Sequence, residues 1–297
     1  MPIRGRVRSR AASGNSLAVG SMILWAAGFP AAELLLVTYD PLTLIVMRLC
    51  MALMVLIPAW VLIDGMAAFT GARWGRGLWI GGVGFGIGTY ALLLAQWFTD
   101  PITVALFASA TPIAATAIEV VAGQRRVTWR FALGVAASVV GGAVAVGGSF
   151  GADIGWGVGL VLLSGALFSW ASNAAVRDFP GLTPLGRSTV TFVGAGAFGV
   201  VAWCAVVAMG FDIVPARAMT PNDLGLLALY AVAAMALSQI LFIASVGRLG
   251  IALTAFHINI APFYVMIILV ALGGDWDWQK ALGAAIVGAG VVLSQRG

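Results

Sequence analysis

Within an otherwise apolar sequence, the side chains able to do chemistry are few enough to take one by one. Glu33 and Arg48 lie seven and eight residues on either side of Asp40. If Asp40 sits in a turn between two helices, a rise of about 1.5 Å per residue places the pair at similar depth. Pairing would then offset the cost of burying either charge alone. Two roles fit this geometry: a structural pair or gate, and a site for the carboxylate or ammonium of a zwitterion. Glu119 is a candidate for reversible protonation, or for simple pairing with Arg125 or Arg126. His257, with Asn259 two residues on, reads either as a titrating group or as a neutral hydrogen-bonding contact.

Trp25, Tyr90, Trp170, Asn173, Gln239 and Tyr264 form a second constellation, with Ser169 beside it. Aromatic faces accept an apolar body while amides and hydroxyls orient a polar group, the division of labour expected of a small-molecule site. Aromatic packing and interhelical hydrogen bonding are the alternative. Trp74, Trp129, Trp156, Trp276 and Trp278 fall near predicted helix ends and read as interfacial anchors. Cys50 and Cys204 have no metal-ligand spacing, and no metal or cofactor is expected. There is no Walker A sequence, and the GxGxG of GVGFGIGTY lacks the strand and acidic partner of a nucleotide site. With no catalytic pair of defensible geometry, an enzyme is not the expected reading.

The elements that must position these residues follow from composition. Hydrophobic residues make up 61% of the chain and charged ones 9%, and the mean hydropathy is +1.03. That excludes a water-soluble core. Charges are confined to short gaps between apolar stretches long enough to cross a bilayer as helices. The predicted spans are 17 to 38, 42 to 63, 77 to 98, 102 to 122, 129 to 148, 155 to 176, 184 to 209, 224 to 246, 251 to 272 and 279 to 294. The fold class is therefore an all-α polytopic membrane protein of ten transmembrane helices. With the amino terminus inside, one face receives thirteen cations, from Arg4 to Arg296, and the other receives Arg217 and Lys280. This distribution places both termini in the cytoplasm and explains the net charge of +5 without nucleic acid.

Residues 103 to 146 resemble residues 253 to 292. Pro112 aligns with Pro262, Gly123 with Gly273, Trp129 with Trp278, Gly134 with Gly283 and Gly141 with Gly290, each pair 149 or 150 residues apart. Five spans per half require the halves to enter the membrane in opposite directions, a 5+5 inverted-topology repeat. The expected organisation is a basic cytoplasmic tail at 1–16, a first repeat at 17–148 and a second at 155–294. Pro30, Pro112 and Pro262 either bend helices beside a pathway or serve packing, while the glycines of the third, fifth and tenth spans read as sites of close helix approach.

The motifs ILWAAGFPAAE around Trp25 and SGALFSWASNAAV around Trp170, with the proline-to-glycine segments beginning at Pro112 and Pro262, together resemble the drug/metabolite transporter superfamily, and within it the EamA family. The resemblance covers residues 17 to 294. Members commonly carry an acidic residue after the glycine that ends the fourth and ninth spans; here Gln124 follows Gly123 and Gly274 follows Gly273, so that role does not carry over. The aromatic interior is similar to that of the YddG-type amino acid exporters. This implies alternating-access export of neutral or aromatic amino acids across a bacterial inner membrane, through a cavity between the halves. In such a cavity the residues above place Trp25, Tyr90 and Trp170 in the lining, Glu33 and Arg48 as a polar pair or gate, and His257 with Asn259 as polar contacts. One chain suffices for a pathway, lipid is the other partner, and dimerisation stays open. Another small metabolite or drug-like solute, or a non-transporting receptor or scaffold, are the alternatives.

Overall fold

The computed structural model describes residues 2–121, 129–145, 152–215 and 217–295. They form α1 (Pro2–Leu36), α2 (Pro41–Asp64), α3 (Trp74–Phe98), α4 (Pro101–Ala108 with Thr111–Val121), α5 (Trp129–Ala145), α6 (Ala152–Asp178), α7 (Pro184–Ala208), α8 (Pro221–Leu249), α9 (Ile251–Ala271) and α10 (Trp278–Gln295). Eight stretches among the described residues are long and apolar enough to cross a membrane, one in each helix except α5 and α10. The protein is thus an all-α, multi-pass membrane protein. Residue 1 lies outside the described residues, but α1 runs unbroken from Pro2, so most of the segment expected as a separate tail continues the first helix.

Starts are set by proline preceded by a capping side chain. Asp40 accepts from the Leu42 amide ahead of Pro41, and Asp100 from the amides of Ile102 and Thr103 ahead of Pro101. Thr183 caps α7, and Thr220 with Asp223 forms a capping box on α8. Proline at the first helical position forfeits no hydrogen bond, and the cap satisfies an orphan amide.

Four helices are interrupted near their middles. In α3 the stretch Ile80–Ile87 is π-helical, and in α8 so is Leu229–Leu237. Small residues such as Gly81, Gly84, Ala231 and Ala234 dominate both, which lets the widened turns lie close to neighbouring helices. In α4 the helix breaks at Ser109 and Ala110, just before Pro112, and in α9 it tightens to a 3-10 turn at Phe256–Ile260, just before Pro262. Each proline removes the amide that would bond the carbonyl four residues back. Those carbonyls find side-chain donors: Thr111 Oγ1 donates to Ala108 O at 2.6 Å, and Ser109 Oγ donates to Ile258 O at 3.4 Å.

Consecutive helices are not the main neighbours. α1 packs chiefly on α8 and α9, α6 on α3 and α4, α2 faces α7, and α5 faces α10. The seams rest on glycine. A side chain at Gly81 would collide with the Thr191 carbonyl, and one at Gly194 would lie 2.6 Å from Gly77 O, so α3 and α7 meet backbone to backbone. In the α5–α10 pair a Cβ at Gly141 would lie 2.7 Å from Gly283 O, and one at Gly290 would strike Ala137 Cβ. The two faces of the bundle differ in charge. On the arginine-rich face Arg76 and Arg177 share Asp178. On the acidic face Arg217 pairs with Asp223 and Lys280 with Asp100, so the two cations that break the charge asymmetry are each neutralised where they stand.

Candidate central cavity

Every helix except α5 and α10 contributes to one cavity of about 80 Å³ around the middle of the bundle. A water needs roughly 10–15 Å³ by this measure, so the space suits a few waters or part of a small solute. The interruptions described above line it: Gly84 and Phe85 from the α3 π-segment, Ala234 and Met235 from the α8 π-segment, and Ala108 and Ile258, whose carbonyls the prolines release. Trp25 forms one wall, set edge-on to Phe29 with centroids 4.8 Å apart.

Phenylalanine gathers at the end nearest the arginine-rich face. Phe85, Phe168, Phe192 and Phe242 stand at that end of the lining on α3, α6, α7 and α8. Their rings run in sequence, with centroids 5.7 Å apart for Phe192 and Phe85, 5.6 Å for Phe85 and Phe168, and 5.0 Å for Phe168 and Phe242. Offset and edge-on contacts of this kind are favourable for aromatic quadrupoles. The result is a continuous apolar floor.

Arg48 supplies the charge. The residue is 5% exposed, its guanidinium lies 3.7 Å from the centroid of Tyr230, and its Nε donates to the Tyr230 carbonyl at 3.2 Å. Among the described residues it pairs with no carboxylate, and its side-chain partner is Tyr230. Arg48 reaches both the central cavity and a smaller one of about 10 Å³, lined also by Gly28, Gln96 and Tyr230. Asp, Glu and His are absent from the described lining of both. Gln239 is 4% exposed, and its Nε2 donor has no partner. The hydroxyls nearby spend their protons internally: Ser21 Oγ donates to Ser238 O, Ser238 Oγ to Ala234 O and Thr111 Oγ1 to Ala108 O. Their oxygens therefore present lone pairs to the cavity. The site offers donors at Arg48 and Gln239 and acceptors at these three hydroxyls, with the hydroxyls of Thr89 and Ser164 also in its lining.

Of the residues singled out in the sequence, Trp25, Arg48 and Gln239 line the cavity. Glu33 does not join Arg48: it is exposed on α1, and its charged neighbours are Asp100 and Lys280. Similar depth did not bring the two together because α1 turns towards α8 and α9 and barely touches α2. Trp170 packs against Gly84 and lies behind the wall, and Tyr90 belongs to the adjoining core. Asn173 is half-buried outside the lining, and Tyr264 packs beside α9's core contacts. His257 Nδ1 lies 3.2 Å from Leu253 O on its own helix. Asn259 is buried with both amide atoms unpartnered, beside Gly288 rather than in the cavity. The Glu119 side chain and residues Gln124, Arg125 and Arg126 lie outside the described residues. Sequence reasoning missed the phenylalanine floor and the hydroxyls, since Phe and Ser in apolar helices carry no spacing that separates lining from packing.

Comparison with known proteins agrees with this architecture. Residues 12–147 match the model of the EamA-like transporter family. A solved structure described only as "Crystal structure of protein" superposes with a TM-score of 0.71 at 15% identity, covering 96% of this chain and 98% of that one. At that identity the likeness shows a shared fold over nearly the full length. No curated protein matches the chain.

Proposed function

We propose that the chain, whose residues 12–147 match the EamA-like transporter family, is a small-molecule membrane transporter that exports neutral or aromatic amino acids from the cytoplasm by alternating access. The observation that carries this reading is the central cavity, which offers the three things such a solute needs. Trp25 and the phenylalanine floor accept an apolar side chain, Arg48 faces a carboxylate, Gln239 offers a further donor, and the oxygens of Ser21, Ser238 and Thr111 accept from an ammonium.

The pathway runs between two halves of five spans with inverted topology, α5 and α10 completing each half. Exchange of the halves would map α1 on α6, α3 on α8, α4 on α9 and α5 on α10. The principal helix pairings come in sets that this exchange interconverts, and so do the contacts of Gly141 with Gly283 and Gly290 with Gly134. The arginine-rich face is the cytoplasmic one, as the distribution of Arg and Lys favours. The phenylalanine floor then closes the cytoplasmic entrance, and parting of those rings admits the solute. The lack of Asp, Glu and His in the described lining favours facilitated movement over proton coupling.

Reconstitution into proteoliposomes tests the reading. Saturable flux of labelled phenylalanine or leucine, competed by other neutral amino acids and unchanged by a proton gradient, is the expected result. Gradient-dependent flux would replace the facilitated mode, and absence of flux from folded protein would overturn the amino acid assignment.

A further inference from the structure

Arg48 is a buried cation without a counter-ion among the described residues. Among the described residues its contacts are a carbonyl and an aromatic face, both of which carry only partial charge. The cavities it reaches contain no acidic residue in their described lining. Desolvating an ion costs several kcal/mol by general reckoning, and removal from water is repaid only by a good partner. A guanidinium held at Nε and by the Tyr230 side chain, with no carboxylate beside it, is suited to a planar oxyanion reached through the cavity.

Resting on the transporter reading above, we propose that Arg48 is the anchor for a carboxylate on the transported solute, so that the site accepts monocarboxylates and zwitterions and rejects amines lacking a carboxylate. The second group is Gln239, a buried amide whose donor has no protein partner. Sixteen residues separate Arg48 from the end of α2 at Asp64, and ten separate Gln239 from the end of α8 at Leu249. At roughly 1.5 Å per residue, Arg48 lies about 9 Å nearer the acidic face than Gln239 does. The solute therefore binds with its carboxylate towards the acidic face and its apolar body on the phenylalanine floor. Tyr230 holds the guanidinium in place and is a positioning residue.

The test uses purified full-length protein and three probes of similar body: phenylalanine, 3-phenylpropionate, which has only the carboxylate, and phenethylamine, which has only the ammonium. Thermal stabilisation by the first two and not the third is expected. Arg48→Gln should weaken both by roughly 30-fold or more, while Arg48→Lys, retaining charge without the fork, recovers part of the loss. Stabilisation by phenethylamine equal to that by 3-phenylpropionate in the wild-type protein overturns the proposal, whether or not the variants fold. So does unchanged affinity in Arg48→Gln, or no stabilisation by either carboxylate. If 3-phenylpropionate binds through Arg48 while phenylalanine neither binds nor moves, the anchor stands and the amino acid reading falls. If phenylalanine moves with an unaltered KM in Arg48→Gln, the exporter reading stands and the anchor falls.

Discussion

The α5–α10 pair and the central cavity are built from the same small residues and reach opposite ends. In the pair, Gly141 faces Gly283 and Gly290 faces Ala137, and the backbones touch. At the cavity, Gly84 meets Ala171 and Trp170, Gly165 meets Thr111, and the helices are widened or broken where they approach. Where both helices are regular, the glycine closes a seam. Where one of them is widened or broken, as α3 is at Gly84 and α4 is just before Thr111, the same close approach leaves a space beside it. Lipid tails are as apolar as leucine, so this close packing, rather than hydrophobic burial, must hold the seams.

Four substitutions probe the contrast. The largest effect belongs to the seam. Gly283→Leu forces α10 away from the Gly141 carbonyl and Ala145, and overpacking of this kind costs about 3 kcal/mol or more; folded protein should largely disappear in fluorescence-detected size exclusion. Next, Gly165→Ala places its Cβ 2.7 Å from Thr111 Oγ1, a hydroxyl that can rotate. This protein should fold at normal abundance, with flux in proteoliposomes reduced about tenfold, or roughly 1.4 kcal/mol. Equal losses of folding at Gly165 and Gly283 would erase the distinction between wall and seam.

A third variant separates binding from stability. Gln239→Leu removes a buried donor that has no protein partner, so the melting temperature should hold or rise while solute affinity falls by roughly three- to tenfold. A drop in melting temperature with unchanged affinity would assign Gln239 to packing instead. The smallest effect lies at the acidic face. Asp100 is desolvated, which alone would raise its pKa, yet hydrogen bonds from Thr103 and the Lys280 ammonium hold its carboxyl below the usual range. Its contribution is therefore complete above about pH 4 and fades as pH falls through the lowered value. Because the pair is partly exposed, Lys280→Met should cost less than about 1 kcal/mol at pH 7, measured by thermal unfolding, and progressively less below pH 4.

Much of the fold was legible in the sequence because a bilayer imposes a simple rule. Apolar runs near 20 residues must be helices, and charge must wait for their ends. The structure's helix limits lie within a few residues of the predicted spans except at the amino terminus, where α1 extends back through the basic segment. The Asp-Pro starts at Pro41 and Pro101 were visible for the same reason, since cap and proline are local devices. The close-packing role of Gly81, Gly141, Gly283 and Gly290 was also readable, because a missing side chain at the seam is a property of the residue itself.

The cavity was legible only in part. Trp25, Arg48 and Gln239 announced themselves as large or polar groups in apolar helices, and all three line it. Trp170, Tyr90, Asn173, His257, Asn259 and Tyr264 were equally conspicuous and sit elsewhere. The sequence determined which residues lie in the membrane and at what depth, since helical rise converts position into height. Tertiary structure alone decided which way each side chain points, because azimuth depends on which helices meet. That α1 packs on α8 rather than α2 sent Glu33 to the outer surface and left Arg48 inside without a carboxylate among the described residues.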